Sequence, residues 1–202
     1  MPTLEDIQRY FLGTWRMMTG RADGVMLLDI SEDGFWNSFY AMIVAMPPLL
    51  IGWVSLANDL VDIDDQIGSR FGIVIRAAVV DALSWVLPLL VIGLLAHQLG
   101  ISRRFAHYVV ASNWGSALIA WLLLPTSLLR LFLPDHTDMN AIVGLLSFGL
   151  VLALSYRLTQ LALQKPHAIA APIYASIVIG SLFLTVILQS LLGIGYSVAV
   201  SS

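Results

Sequence analysis

The chain has 202 residues, of which 58% are hydrophobic and only 11% are charged, and its formal net charge is -3. A soluble domain of this size exposes far less apolar surface to water, so the composition indicates an integral membrane protein. The small negative charge excludes the basic field that nucleic-acid binding requires. Because the chain has no cysteine, disulfides, thiolate metal sites and cysteine nucleophiles are excluded as well.

Residues 1–34 are predicted to form a cytoplasmic or interfacial segment, followed by a transmembrane domain over residues 35–202. At its start, Thr3 and Asp6 resemble the capping box of a helix. Apolar side chains then recur at helical spacing, at Leu4, Ile7, Phe11, Trp15 and Met18. Such an amphipathic helix lies in the membrane interface, packs against the spanning helices, or does both. A turn near Ser31 and Gly34 leads into the first span.

Five long apolar stretches separated by short polar segments dominate the rest of the chain. A bilayer core about 30 Å thick is crossed by roughly 20 apolar helical residues. The stretches are Phe39–Leu56, Ala77–Leu99, Ala106–Leu133, Ala141–Tyr156 and Ala168–Ile194. The predicted fold is therefore an all-α membrane protein, a bundle of five transmembrane helices with an N-terminal amphipathic interfacial helix.

Prolines and small residues inside the stretches predict how the helices pack. The prolines, which remove backbone donors and kink helices, are Pro47, Pro48, Pro88, Pro125 and Pro172. The small residues are Ala111, Ser112, Gly115 and Ser116 in the third stretch and Ala168, Ala171, Ala175 and Gly180 in the fifth. Small residues let helices approach closely, so they favour a compact bundle or self-association.

An acidic segment follows the first stretch. Its four carboxylates are candidate ligands for a hard divalent cation such as Mg²⁺ or Ca²⁺, at Asp59, Asp62, Asp64 and Asp65. The alternative is a solvated acidic loop. The Asn58-Asp59-x-x-Asp62 run resembles the first motif of the UbiA-type prenyltransferases, and the resemblance implies Mg²⁺ and a prenyl diphosphate at these residues. The family's later aspartate is replaced by Gln66, and a second aspartate-rich motif is absent.

Three polar side chains fall within the predicted spans, Arg76, Asp81 and Asn113. An ionisable residue inside a span marks a specific partner or a pathway. Asp81 pairs imperfectly with Arg76, five residues away, and Asn113 or His107 on the third span is an alternative partner. Either Arg76 snorkels to the interface while Asp81 accepts a structural hydrogen bond, or Asp81 belongs to an ion or proton pathway. The four histidines are expected near span ends, without metal-ligand spacing.

The positive charges predict an orientation. Of the ten Lys and Arg residues, seven lie on the N-terminal side of five alternating spans. The excess of positive charge on cytoplasmic loops then places the N-terminus in the cytoplasm and the C-terminus outside, with the acidic segment outside. The short loops are typical of a bacterial inner-membrane protein.

The layout of a cytoplasmic N-terminal segment, five clustered spans and a short tail resembles the Yip-type membrane proteins. The run Arg103–Ser112, which contains a tyrosine followed by small residues, is similar to the third-span entry of that family, although the Asp-Leu-Tyr-Gly-Pro signature is missing. The resemblance implies a non-catalytic scaffold or accessory subunit without a cofactor, whose partners are the lipid bilayer and other membrane proteins or a second copy. A small ion or solute transporter or channel subunit is the alternative, motivated by Asp81 and Asn113.

Overall fold

The computed structural model describes residues 1–63, 68–134 and 136–194, in which all regular secondary structure is helical. The α-helices are α1 Leu4–Met18, α2 Glu32–Asn37, α3 Tyr40–Ile63, α4 Arg70–Leu95, α5 Phe105–Phe132, α6 Thr137–Leu163 and α7 His167–Leu191. Five of them, α3 to α7, are long and apolar enough to span a membrane. The prediction of an all-helical chain with five apolar spans is confirmed at this level.

Helix α1 begins with the predicted capping box. The Asp6 carboxylate accepts hydrogen bonds from the Thr3 backbone N–H at 2.9 Å and from the Thr3 hydroxyl at 2.7 Å, while the Thr3 hydroxyl accepts from the Asp6 N–H. These bonds favour the ionised form and lower the pKa of Asp6, with a small further contribution from Arg9. The sequence therefore determines where this helix starts.

One face of α1 packs against α5 and α6, where Thr14 and Met17 are fully buried. A second, apolar sector remains accessible, with Leu4 72% and Trp15 43% exposed. The charged residues of α1 occupy a third sector. Packing against the bundle, one of the two predicted roles of this helix, is thus present, and the exposed apolar sector suits the interfacial position that the pattern predicts.

The chain then folds back on α1 through a 3-10 turn over Ala22–Leu27. A Cβ atom at Gly24 would lie 2.3 Å from the Gly13 carbonyl oxygen, so this crossing requires glycine. Ser31 caps α2, and its hydroxyl accepts from the Gly34 N–H at 3.0 Å. The turn predicted near Ser31 and Gly34 is thus wrong in type, because these residues begin a short helix capped by Ser31.

Helices α3 to α7 form a closed ring in which each packs against two neighbours, in the order α3, α5, α6, α7 and α4. Because successive helices run in opposite directions, α3, α5 and α7 begin at the same end of the ring. This end also carries α1, and we call it the α1 end. The opposite end, where α3 finishes, is the acidic end.

Large apolar side chains cover the outside of the ring. Those on α6 and α7 include Leu145, Leu146, Phe183 and Val186, all more than half exposed. An apolar outer surface of this extent is stable in lipid and unfavourable in water. It is the feature of the fold that agrees best with the five predicted spans.

The two sets of small residues have different surroundings. On α5, Ala111 is fully buried, and a Cβ atom at Gly115 would lie 2.6 Å from the Leu158 Cδ1 of α6, so close helix approach is confirmed there. On α7, Ala171 and Ala175 are exposed, and the space around Gly180 is open. The α7 set therefore faces the surroundings of the ring and not its interior.

The prolines lie within continuous helices. Pro48 has no N–H to offer the Val44 carbonyl one turn earlier, and the Trp121 indole of α5 donates to this oxygen at 3.0 Å instead. A neighbouring helix thus satisfies the carbonyl that the proline releases.

Candidate functional site

Helix α3 continues beyond the predicted first span and includes Asn58, Asp59 and Asp62. The expectation of a loop is therefore wrong at these three positions. Neighbouring guanidinium groups neutralise the carboxylates, because Arg130 forms an ion pair with Asp59 and Arg70 lies beside Asp62. The predicted candidates Asp64 and Asp65 lie outside the described residues, as do Gln66 and Asp135.

Residues three and four apart share one face of a helix, and this face of α3 lines a cavity of about 340 Å³ at the acidic end. We call this cavity the vestibule; among the described residues, its polar lining consists of Ser55, Asn58, Asp59, Asp62, Arg70 and Arg130. In the described part of the chain, no three His, Asp or Glu residues are grouped closely enough to hold a metal ion. The described carboxylates are instead paired with arginines.

Asp81 lies near the middle of α4. Its carboxylate accepts a hydrogen bond of 2.7 Å from the Trp53 indole N–H of α3. The expected partners of Asp81, Asn113 and His107, make no hydrogen bond to it among the described contacts, because α4 turns Asp81 toward α3. Arg76 donates to the Leu192 and Gly193 carbonyls just beyond α7, at 3.0 and 3.3 Å.

This contact places a cation at the negative end of the α7 dipole, where it is stabilising. Sequence reasoning missed it, because the two groups are 116 residues apart in the chain.

Asn113 is fully buried at the junction of three helical elements. It accepts a hydrogen bond of 2.9 Å from the Trp85 indole of α4 and donates one of 2.8 Å to the Ser38 hydroxyl. Ser38 in turn donates to the Phe35 carbonyl at 2.7 Å. The predicted intramembrane residue Asn113 therefore belongs to a satisfied network that joins the α2–α3 junction to α4 and α5.

Three further cavities follow one another inside the ring. The outer cavity, of about 260 Å³, adjoins the vestibule, since Arg130 lines both. The middle cavity, of about 340 Å³, adjoins the outer cavity at Asp81 and Leu49. The inner cavity, of about 380 Å³, shares Ser112 and Ser116 with the middle cavity. The four cavities together extend from the acidic end toward the α1 end.

Hydroxyl groups dominate the polar lining of the middle and inner cavities. They come from α4 to α7 and belong to Ser84, Tyr108, Ser112, Ser116, Ser155, Thr159, Tyr174, Ser181 and Thr185. Some join helices, as in the 2.6 Å contact between Ser155 and Tyr174 and the 3.1 Å contact between Ser84 and Thr185. Hydroxyls both donate and accept, so this lining suits water or a small polar solute.

Helix α1 borders the inner cavity at the α1 end of the ring. Met18 lines the cavity, and the Tyr10 ring packs on Trp114 with a centroid distance of 4.9 Å. The row of cavities therefore ends beside α1.

Sequence reasoning assigned Ser112 and Ser116 to helix packing and missed their place in the cavity lining. A signal was present, because Ser112 and Ser116, like Ser181 and Thr185, are four residues apart and so share a face of their helix.

No protein-family model, curated protein or solved structure matches this chain. The geometry of the interior is what bears on its function.

Proposed function

We propose that this protein is a polytopic integral membrane protein that lets a small polar solute or ion cross the bilayer through the interior of its helical ring. The observation that carries the proposal is the succession of cavities that meet at Asp81. Polar groups in a membrane domain are unfavourable unless they face the protein interior or a water-filled space. Here they line adjoining spaces along the ring axis, as the lining of a transport pathway would.

The orientation that accompanies this proposal places the α1 end in the cytoplasm and the acidic end outside, in a bacterial inner membrane. The support is that Arg103, Arg104 and Lys165 lie in the connections at the α1 end. The chain has no native cysteine, so Ser69→Cys provides a unique label at the acidic end. We expect an impermeant thiol reagent to modify this variant from outside intact cells; modification only after lysis would reverse the orientation.

The proposal is tested by flux into vesicles that contain the purified protein. The probes are potassium ions, protons and L-alanine, each compared with protein-free vesicles. We expect at least one probe to cross faster with protein present. Ser116→Phe should slow its flux about tenfold, which corresponds to about 1.4 kcal/mol in the barrier, because the added phenyl group fills the space shared by two cavities.

The matched control is Leu94→Phe, which adds the same phenyl group on the lipid side, where Leu94 is 82% exposed. Its flux should equal that of the parent chain. A folded protein that passes none of the probes, or a Ser116→Phe variant with unchanged flux, would contradict the proposed function.

A second candidate is a non-catalytic scaffold or accessory subunit with the layout of the Yip-type proteins. The observation that favours it is the outward position of Ala168, Ala171 and Ala175 on α7. These small residues let a helix of a second copy or of another membrane protein approach closely. In that case Ala175→Leu reduces self-association or co-purification, and Ser116→Phe leaves both unchanged. Neither candidate requires a catalytic residue or a cofactor.

A further inference from the structure

The vestibule brings charges of both signs into one space. Asp59 and Asp62 project from α3, while Arg70 and Arg130 come from α4 and α5. A simple cation in this cavity is attracted by the carboxylates but repelled by both guanidinium groups, and a simple anion meets the opposite pair of forces. A ligand that carries an ammonium group and an oxyanion is complementary to both.

The contacts inside the vestibule leave some of these groups able to accept a ligand. Arg70 donates its Nε–H to the Asn58 Oδ1 at 3.1 Å, but its Nη2 lies 3.7 Å from the Asp62 Oδ1, too far for a hydrogen bond. The Asp62 side chain is 73% exposed and that of Arg70 is 59% exposed. A ligand can therefore reach both groups without breaking a short ion pair.

Ser55 provides a second and independent indication of a ligand. The residue is only 2% exposed and lines the vestibule, yet its hydroxyl has no hydrogen-bond partner among the described residues. A buried hydroxyl without a partner is unfavourable, and a bound molecule that hydrogen-bonds to it removes this cost.

The volume and the position of the vestibule agree with a ligand-binding site. The volume of about 340 Å³ lies within the range of about 300–1,000 Å³ that is typical of small-molecule sites. Arg130 also lines the outer cavity, so a ligand in the vestibule lies at the entrance to the interior.

We propose that the vestibule binds a small zwitterion, with its ammonium group near Asp59 and Asp62 and its oxyanion near Arg70 and Arg130. The further step, that this ligand is also the solute that crosses the membrane, rests on the proposed function. The binding of the ligand to the vestibule is independent of that function. The required chemistry occurs in free amino acids and in the phosphoethanolamine headgroup of a lipid.

Binding is measured by calorimetry on the full chain in nanodiscs of phosphatidylglycerol, which has no ammonium group. The zwitterionic probes are L-alanine and O-phosphoethanolamine. Ethylamine and propionate carry the single charges separately, and Mg²⁺ tests a plain cation site. We expect one zwitterion to bind saturably and at least about tenfold more tightly than ethylamine, propionate or Mg²⁺, because only a zwitterion satisfies both charge signs.

Asp62→Asn and Arg70→Gln should each weaken this binding about fivefold or more, because each removes one of the two complementary charges. Ser55→Ala should weaken it less, since it removes a single neutral hydrogen bond. The matched controls are Asp138→Asn, at the same end but outside the vestibule, and Arg103→Gln, at the opposite end. Both should bind like the parent chain.

Nanodiscs of phosphatidylethanolamine distinguish the two sources of the ligand. Loss of binding of the soluble zwitterion only in these discs assigns the site to the lipid headgroup, and unchanged binding assigns it to a free zwitterion. Equal binding of a singly charged probe or Mg²⁺, no binding by any probe, or unchanged affinity in both charge variants overturns the proposal. Binding without flux would retain this site and contradict the proposed function.

Discussion

Two hydrogen bonds donated by tryptophan indoles lie in different surroundings within the membrane domain. Trp53 donates to Asp81 between the neighbouring helices α3 and α4, and Trp85 donates to Asn113 across the ring, from α4 to α5; each bond spans 28 residues of chain. In the second pair Asn113 is fully buried and bonded to the Ser38 hydroxyl, and only Trp85 lines a cavity. The first pair borders two cavities.

The comparison shows that a polar residue in a span acquires its role from its surroundings. Asn113 uses its donor and its acceptor on neighbouring protein groups, so it stabilises the packing of three elements. Asp81 has one indole partner and adjoins open polar space, so its remaining acceptor capacity is available to water or a solute. Comparable substitutions made in both pairs test whether this distinction is real.

The largest effect is expected from Asn113→Leu. It leaves the Trp85 indole N–H without its acceptor, at a cost of about 1–3 kcal/mol, and removes one of the two hydrogen bonds of the Ser38 hydroxyl, which still donates to the Phe35 carbonyl. We expect the free energy of unfolding in mixed micelles to fall by about 3 kcal/mol.

Asn140→Leu is the matched control, because Asn140 makes one exposed hydrogen bond to the Leu133 carbonyl. It should cost less than about 1 kcal/mol. Equal losses in the two variants would show that the buried network does not stabilise the fold.

A smaller effect is expected when each indole is replaced in turn. Trp85→Phe leaves the Asn113 carbonyl oxygen buried without its donor, whereas Trp53→Phe leaves Asp81 beside a space that water can enter. Beyond the similar loss of ring packing, we expect Trp85→Phe to cost about 1 kcal/mol more free energy of unfolding than Trp53→Phe. The reverse order would contradict the distinction between the buried Asn113 and the cavity-lining Asp81.

The smallest change in stability is expected from Asp81→Asn, which preserves an acceptor oxygen for Trp53 and replaces the second carboxylate oxygen with an NH2 group. We expect the unfolding free energy to change by less than about 1 kcal/mol, while flux of the conducted probe falls about tenfold. Vesicle flux and micelle unfolding, measured on the same preparation, separate the two effects. A large stability loss with unchanged flux would assign Asp81 a structural role instead.

Hydropathy predicted the five spans, because about 20 apolar residues satisfy their own backbone in lipid only as a helix. It placed the end of the first span too early, at Leu56, because α3 continues into a charged segment. The added turns are stabilised by Arg70, at the start of the next helix, and by Arg130, near the end of α5. Apolar periodicity contains no information on such contacts.

The candidate site was predicted only in fragments. Asp59, Asp62 and Asp81 stood out through their charge, but the partners of Asp81 and Arg76 depend on helix rotation, which composition does not determine. Serine is ambiguous for the same reason, because its small size suits helix packing and its hydroxyl suits a wet interior. Only the ring arrangement shows that Ser112 and Ser116 line the cavities.

The central claim is that water reaches the interior of the ring, and reaction of single cysteines in the otherwise cysteine-free chain tests it directly. Ser112→Cys and Ser116→Cys report on the cavity lining, and Leu94→Cys and Phe183→Cys report on the lipid side. A small water-soluble thiosulfonate should modify the two interior cysteines at least about tenfold faster than the outer pair, because the thiolate that reacts forms only where water is present. Equal, slow modification at all four positions would contradict a polar passage through this protein.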